Sequence, residues 1–460
     1  MNVGDQKSLA MSYFSIFVIQ FFSFLAAYLL LWRKSRLPSL SVLVTFAIYQ
    51  TSPIYVAVAG AVSAVYLVDF LFPVLVFRLL NDRQMRESSS DPIWIFAFGL
   101  LIFLPALAGA LNVLVGEVEF DSRSIIGTIQ WFFRNANFLL VMLYGLSLRL
   151  DAHHVTDFVR LNVLLLTVLC VFGVLNYWYG VDLAVFDRML VVNDPDGELF
   201  LSEKRVGYGF LGLFRGAVGQ WGAICVLLMV GLIKGKQFGR FPQKIFISIS
   251  MAIFVLQSFS RAGVLAISGG LLVLFFSGRR MSQKIFASIG FISGVLYISL
   301  SDEVYASRIL GITAVEDDSS LARVTGWRLG VDYLMDDYFS LFFGIGPADE
   351  SGVSLITGNW GAHNEFLDVI FRMGIFGLLL LCLLLLAIGT RFFALTKSQD
   401  DSTRALGATM LSILAANIIC SITQSHLINS YATYMLGVFI YWLYGITLGM
   451  SGGEKKRGLN

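Results

Sequence analysis

Apolar residues in this chain run in blocks, mostly of about 18 to 24 with few charges inside, the length a helix needs to cross roughly 30 Å of hydrocarbon. Such blocks cover Leu9–Trp32, Leu40–Val58, Gly60–Leu80, Ile93–Val115, Ile125–Leu148, Phe158–Trp178 and Gly216–Ile233. Further ones follow at Ile245–Ser258, Ala262–Phe276, Ile285–Leu300, Phe366–Ile388, Ala405–Ile422 and Tyr431–Leu448. The alternating pattern of a membrane barrel strand is absent. The expected fold class is therefore all-α, a polytopic integral membrane protein of about 12 to 13 transmembrane helices. Two connections are too long to be turns, Tyr179–Arg215 and Ser301–His363, and long polar loops commonly carry function. The chain divides into 1–215, N-terminal helices with the first long loop, and 216–460, a catalytic-type region containing the large loop 301–363.

Inside the large loop, Val324, Trp327, Val331, Leu334 and Tyr338 recur at helical spacing, which predicts an amphipathic helix on the outer membrane surface. The loop carries ten acidic residues against Arg308, Arg323 and Arg328. Basic residues gather in alternate short connections, at Arg33–Arg36, Arg78–Arg86, Arg149–Arg160, Lys234–Lys244, Arg279–Lys284, Arg391–Arg404 and Lys455–Arg457. These hold 21 of the 33 Lys+Arg, so the positive-inside rule puts them and the C-terminus in the cytoplasm and both long loops outside. His153 and His154 then read as solvated cytoplasmic loop, and His426 as a surface residue of a short outer turn.

A composition of 57% hydrophobic and only 14% charged residues, with mean hydropathy +0.76, excludes a soluble globular domain. A net charge of +2 gives no footprint for nucleic acid. Cys170, Cys225, Cys382 and Cys420 lie in apolar runs without paired spacing, so they predict small core residues rather than a disulfide framework or zinc site. No small-residue cleavage pattern stands near Trp32, and the first block reads as a retained anchor.

Three arginines occupy positions where a membrane protein normally avoids charge. Arg215 opens an apolar block, Arg261 sits in the turn Phe259-Ser260-Arg261-Ala262-Gly263, and Arg372 lies inside the helix that follows His363. Snorkelling to headgroups and a functional role are both open to each. Asp368, one helical turn before Arg372, predicts an internal ion pair there. Two arginines facing one outer vestibule would clamp an anion such as a lipid-linked pyrophosphate, using planar donors and a charge that deprotonation does not remove. Such a clamp would stabilise the leaving group's growing charge without a metal.

The run Trp360-Gly361-Ala362-His363-Asn364-Glu365-Phe366-Leu367-Asp368-Val369-Ile370-Phe371-Arg372-Met373-Gly374-Ile375-Phe376-Gly377 places a histidine in a polar turn at the mouth of a span. An imidazole, with an ordinary pKa near 6.5, is suited to take a proton from a sugar hydroxyl. The residues also fit a plainer reading, in which His363 and Asn364 cap the helix while Gly374 and Gly377 permit close packing.

This segment resembles the signature of the bacterial O-antigen ligase and O-antigen polymerase family: His, then Asn, Ser or Gln, nine residues, Gly, two residues, Gly. His363, Asn364, Gly374 and Gly377 fit that spacing. Arg215 before Gly219, Ser260-Arg261-Ala262-Gly263, Arg323 with Trp327, and Gly344-Ile345-Gly346-Pro347 stand in the family's order. Gln220-Trp221 departs from the Asn-Pro pair of many relatives. The resemblance spans roughly 205–377 and implies a glycosyltransferase at the outer face of the bacterial inner membrane, with its site facing the periplasm. It would move a glycan from undecaprenyl pyrophosphate to a hydroxyl of a glycan or lipid A–core acceptor, with no cofactor or metal and with a chain-length regulator as a further partner. His363 becomes the candidate base. Arg215 and Arg261, followed by Arg323, become pyrophosphate ligands, with Arg205, Arg328 and Asn364 as further substrate-binding candidates.

A polymerase of surface polysaccharide suits the acidic loop better than a ligase acting on a phosphate-rich lipid core. A flippase of the same lipid-linked glycan is the reading of another class, but transporters concentrate ionisable groups near the bilayer midplane. Here they concentrate at the outer boundary.

Overall fold

The computed structural model describes residues 44–45, 54–58, 61–115, 122–163, 165, 215–232, 261–277, 284–285, 288, 318–346, 364–422, 427 and 434–457. The predicted blocks Leu9–Trp32 and Ile245–Ser258, nearly all of Ile285–Leu300, and Arg205, His363 and His426 lie outside the described residues.

Helices form most of what is described. They are α1 (Leu67–Asn81), α2 (Arg83–Ser88), α3 (Pro92–Phe98), which runs through a π turn at Gly99–Phe103 into α4 (Leu104–Val115), and α5 (Ser122–Ser147). Helix α6 covers 152–163, and α7 (Arg215–Gly231), α8 (Arg261–Ser277), α9 (Asp318–Asp336) and α10 (Tyr338–Phe343) follow. The chain ends in α11 (Glu365–Leu395), α12 (Asp401–Ser421) and α13 (Tyr434–Arg457). Short polar side chains set several starts by accepting otherwise unanswered N–H groups. Asp91 accepts from Ile93 at 2.9 Å ahead of Pro92, and Asp400 accepts from Thr403 at 2.8 Å.

The all-α expectation needs one correction. Residues Ile54–Val58 (β1) and Ala61–Val65 (β2) form an antiparallel hairpin with Ile54 opposite Val65. It takes the end of the predicted span Leu40–Val58 and the start of Gly60–Leu80. Ile54, Tyr55, Val56, Val58, Val62 and Val65 are residues that favour extended backbone, and apolar content alone does not separate a strand from a buried helix.

Among the described residues three helices are long and apolar enough to cross a membrane: Pro92–Leu111, Glu365–Leu395 and Asp401–Ser421. Gly219–Gly231, Ala262–Ser277 and Tyr434–Met450 are shorter apolar helices. Helix α11 exposes Phe376, Leu379, Leu383 and Leu386 on one stripe while burying Leu381, Leu384, Leu385 and Ile388 on the other, as a helix packed on protein and facing lipid must. Cys225 and Cys420 are buried as predicted, whereas Cys382 is exposed on the lipid-type stripe.

Helices α5 and α13 run parallel. Tyr434, the first residue of α13, stacks on Phe138 in the second half of α5, and further along a side chain at Gly449 would strike the Leu146 carbonyl. Helices α7 and α8 also run parallel, with Gly263 against the backbone of Gly219, where a Cβ would stand 2.7 Å away. Small residues there let the two backbones meet. Helix α12 runs against both, its Asn417 accepting from Gln220 at 3.1 Å and its Ser412 donating to the Gly270 carbonyl at 2.7 Å.

These directions bring three of the predicted basic connections to one end of the bundle. There Arg391 forms a two-pronged pair with Asp91 at 2.7 and 2.9 Å, and Glu87 lies between Arg83 and Arg149 at 2.9 and 3.3 Å. The hydrogen bond from Arg83, with help from Arg149, holds the Glu87 carboxyl below its ordinary value. His153 and His154 occupy the first turn of α6 at this end rather than a loop, each beside an aspartate.

Candidate active site

The site motif begins at the opposite end, where α11 starts. Asn364 is the N-cap: its Oδ1 accepts from the Phe366 and Leu367 N–H groups at 3.0 and 3.2 Å. The capping half of the plainer sequence reading therefore holds for Asn364. His363 immediately precedes it, outside the described residues.

Helix α11 is broken ten residues after its cap. Gly374 has φ 63° and ψ −164°, so the element is a half-helix, 365–373, joined through a kink to the long apolar helix. In an unbroken helix the Phe371 and Arg372 carbonyls would be answered by N–H groups four residues on. Here the Ile345 N–H donates to the Phe371 carbonyl at 2.8 Å, and the Gly346 N–H to that of Arg372 at 3.0 Å. Irregular backbone at membrane depth is tolerated where protein answers it in this way. Gly344 and Gly346 make the approach possible, at φ 74° and 88°. A Cβ at Gly346 would sit 2.8 Å from Gly109 of α4. Two motif pieces far apart in sequence, Gly344-Ile345-Gly346 and Gly374, thus form one backbone junction.

Inside the half-helix, Arg372 Nε donates to Asp368 Oδ1 at 3.0 Å, with both side chains almost wholly buried, so the predicted pair is present. Replacing Asp368 by Ala takes a carboxylate from a buried cation and costs about 3–5 kcal/mol. Thermal unfolding of the detergent-solubilised chain checks this. Equal midpoints for wild type and Asp368→Ala contradict it.

Helix α9 does form in the large loop, but its faces differ from the predicted stripe. It buries Gly326, Gly330 and Leu334 with Trp327 half-buried, and the ring of Phe371 lies against Gly330. Val324, Val331 and Tyr338 point outward. The glycines, which an apolar count ignores, supply the docking face. The outward residues, with Met335 and Phe342, continue toward the exposed Phe376 of α11, 5.9 Å from Phe342 between ring centroids.

The predicted anion ligands fall into two groups. Arg215 and Arg261 are the first residues of α7 and α8, whose starts are joined at Gly219 and Gly263. Two helix N-termini, which favour anions, therefore stand side by side with an arginine at each. Arg323 belongs to α9. Arg328 is highly exposed on the outward face of α9 and lies 3.8 Å from Asp332, so the structure does not bring it to the α11 junction.

Two sets of polar residues were not singled out by sequence. Glu365, beside the N-cap, is fully buried, and its Oε2 accepts from the Leu427 N–H at 2.8 Å. Asp69 accepts at one oxygen from Tyr434 at 2.6 Å and from Asn137 at 3.0 Å, while Arg134 lies 5.0 Å over the Tyr434 ring. The signal for this cluster was present as charge inside the apolar blocks Gly60–Leu80 and Ile125–Leu148.

Residues 246–382 match the family model described as O-antigen ligase. No curated protein matches the chain. The match covers under a third of the chain but takes in Arg261, Arg323, His363, Asn364, the Gly344–Gly346 segment and the break at Gly374. Through this region the chain is similar to the O-antigen ligase family.

Proposed function

We propose that the chain is a membrane glycosyltransferase that moves a glycan from undecaprenyl pyrophosphate to a glycan acceptor at the periplasmic face of the bacterial inner membrane, extending surface polysaccharide by repeat units. The observation that carries this reading is the junction of Gly344–Gly346 with the broken helix directly after His363-Asn364, inside the matched region. In this reading His363 takes the proton of an acceptor hydroxyl. The freed oxygen forms a bond to the anomeric carbon of the donor sugar as the bond from that carbon to pyrophosphate breaks. Undecaprenyl pyrophosphate leaves. Arg215 and Arg261, at the adjoining helix starts, meet the leaving group's negative charge, with Arg323 next.

The acidic large loop favours a glycan acceptor over a phosphate-rich lipid A–core. Carrier-linked glycan extracted from cells lacking the chain separates the alternatives. Single repeat units on the carrier are the expected result. Full-length carrier-linked chains would assign the ligase reaction instead, and glycan retained on the cytoplasmic side would assign a flippase.

A further inference from the structure

We infer that Glu365 is a positioning residue of this site, fastening Leu427 and α13 to the first turn of the helix that follows His363. The inference rests on the reading of His363 as the reacting group. Asn364 caps α11 through Phe366 and Leu367, and the Glu365 carboxylate makes a different contact. Its carboxylate reaches across to Leu427, 62 residues on, at 2.8 Å. The other side of the same residue is also held: the Tyr441 hydroxyl donates to the Leu427 carbonyl at 2.9 Å. Tyr441 is itself fixed, stacked at 5.1 Å on Phe138, which stacks at 5.5 Å on Tyr434 of the Asp69 cluster.

A fully buried carboxylate near the end of a membrane helix is costly and by default serves function. Here it stands two residues from His363, where α-carbons are at most about 7 Å apart. With the Ile345 and Gly346 bonds at its far end, the half-helix is held at both ends. Its first turn leads straight back to His363. Loosening the start displaces the histidine, and a misplacement of about 1 Å costs on the order of 100-fold in rate. The loss belongs in kcat, because Glu365 has no exposed surface with which to bind substrate.

The test uses the full chain in lipid vesicles, given the carrier-linked glycan extracted from cells that lack it. Glu365→Ala is expected to lower kcat at least about 10-fold with KM for that glycan within about 2-fold. Glu365→Gln, whose amide oxygen still accepts from Leu427, is expected to recover most of the rate. Tyr441→Phe should lower it a few-fold, and the double variant Glu365→Ala/Tyr441→Phe should be no worse than Glu365→Ala, because both cut one tether. Wild-type kcat in Glu365→Ala, a Gln variant as poor as Ala, or losses that multiply in the double variant would each overturn the inference. An active His363→Ala control would instead sink the reading on which it rests.

Discussion

His363→Ala removes surface polysaccharide while the chain inserts and accumulates at the wild-type level. The expected loss of turnover is about 10²- to 10⁴-fold, the range a positioned general base contributes. The contrast that gives the result meaning is Asn364→Ala. Asn364 accepts two backbone N–H groups at the start of α11, so its loss costs about 1 kcal/mol of helix stability and leaves a reacting imidazole in place. If both residues only cap, the two alanine variants behave alike, with similar small losses of stability and no deficit per molecule. If His363 takes the proton, its variant is as stable as Asn364→Ala or more so, yet inactive. Gel analysis of polysaccharide together with membrane protein levels separates these outcomes. Unchanged polysaccharide with His363→Ala would remove His363 from the mechanism.

What could be read from the sequence was whatever depends on neighbours in the chain. The Asp368–Arg372 pair lies one turn apart and was predicted from that spacing; capping by Asn364 was one of the two readings its polar turn allowed. The apolar stripe 324–338 foretold a helix at α9, because spacing reports the period. It did not foretell which face docks, because the buried Gly326 and Gly330 carry no hydrophobic signal, and Gly330 admits the ring of Phe371. The hairpin at residues 54–65 was read as two spans because an apolar run short of full span length has no periodicity to declare itself. Glu365, Asp69, Arg134 and Asn137 were passed over for a different reason. Their partners lie far along the chain: Tyr434 is 365 residues from Asp69 and 297 from Asn137. Charge in an apolar block announces a need for such a partner, but only the fold names it. The N-terminal helices, which entered the sequence reading as compatible topology, thus reach the helix that follows His363 through Tyr434, Phe138, Tyr441 and Leu427.

Gly374→Ala is expected to prevent accumulation of folded chain. At φ 63° and ψ −164° the backbone is in a region that only glycine adopts without strain, itself a cost of about 1–3 kcal/mol for another residue. The new methyl would also strike the carbonyl of Phe342 and the N–H of Phe343. Both are backbone atoms at the end of α10, so no rotamer change relieves the contact. Relief by shifting α10 would pull Ile345 and Gly346 from the Phe371 and Arg372 carbonyls, leaving two acceptors unanswered where water is scarce. Leu379→Ala, on the exposed stripe of α11, is the control that changes side-chain volume without touching the break. Membrane levels and thermal midpoints in detergent decide the matter. If glycine at 374 were needed only for its small size between packed helices, alanine, one methyl larger, would lower the midpoint by a few degrees at most. If it is needed for its backbone conformation, alanine fails outright and larger residues add little further loss. A stable, active Gly374→Ala chain would mean that the half-helix after His363 does not depend on this break.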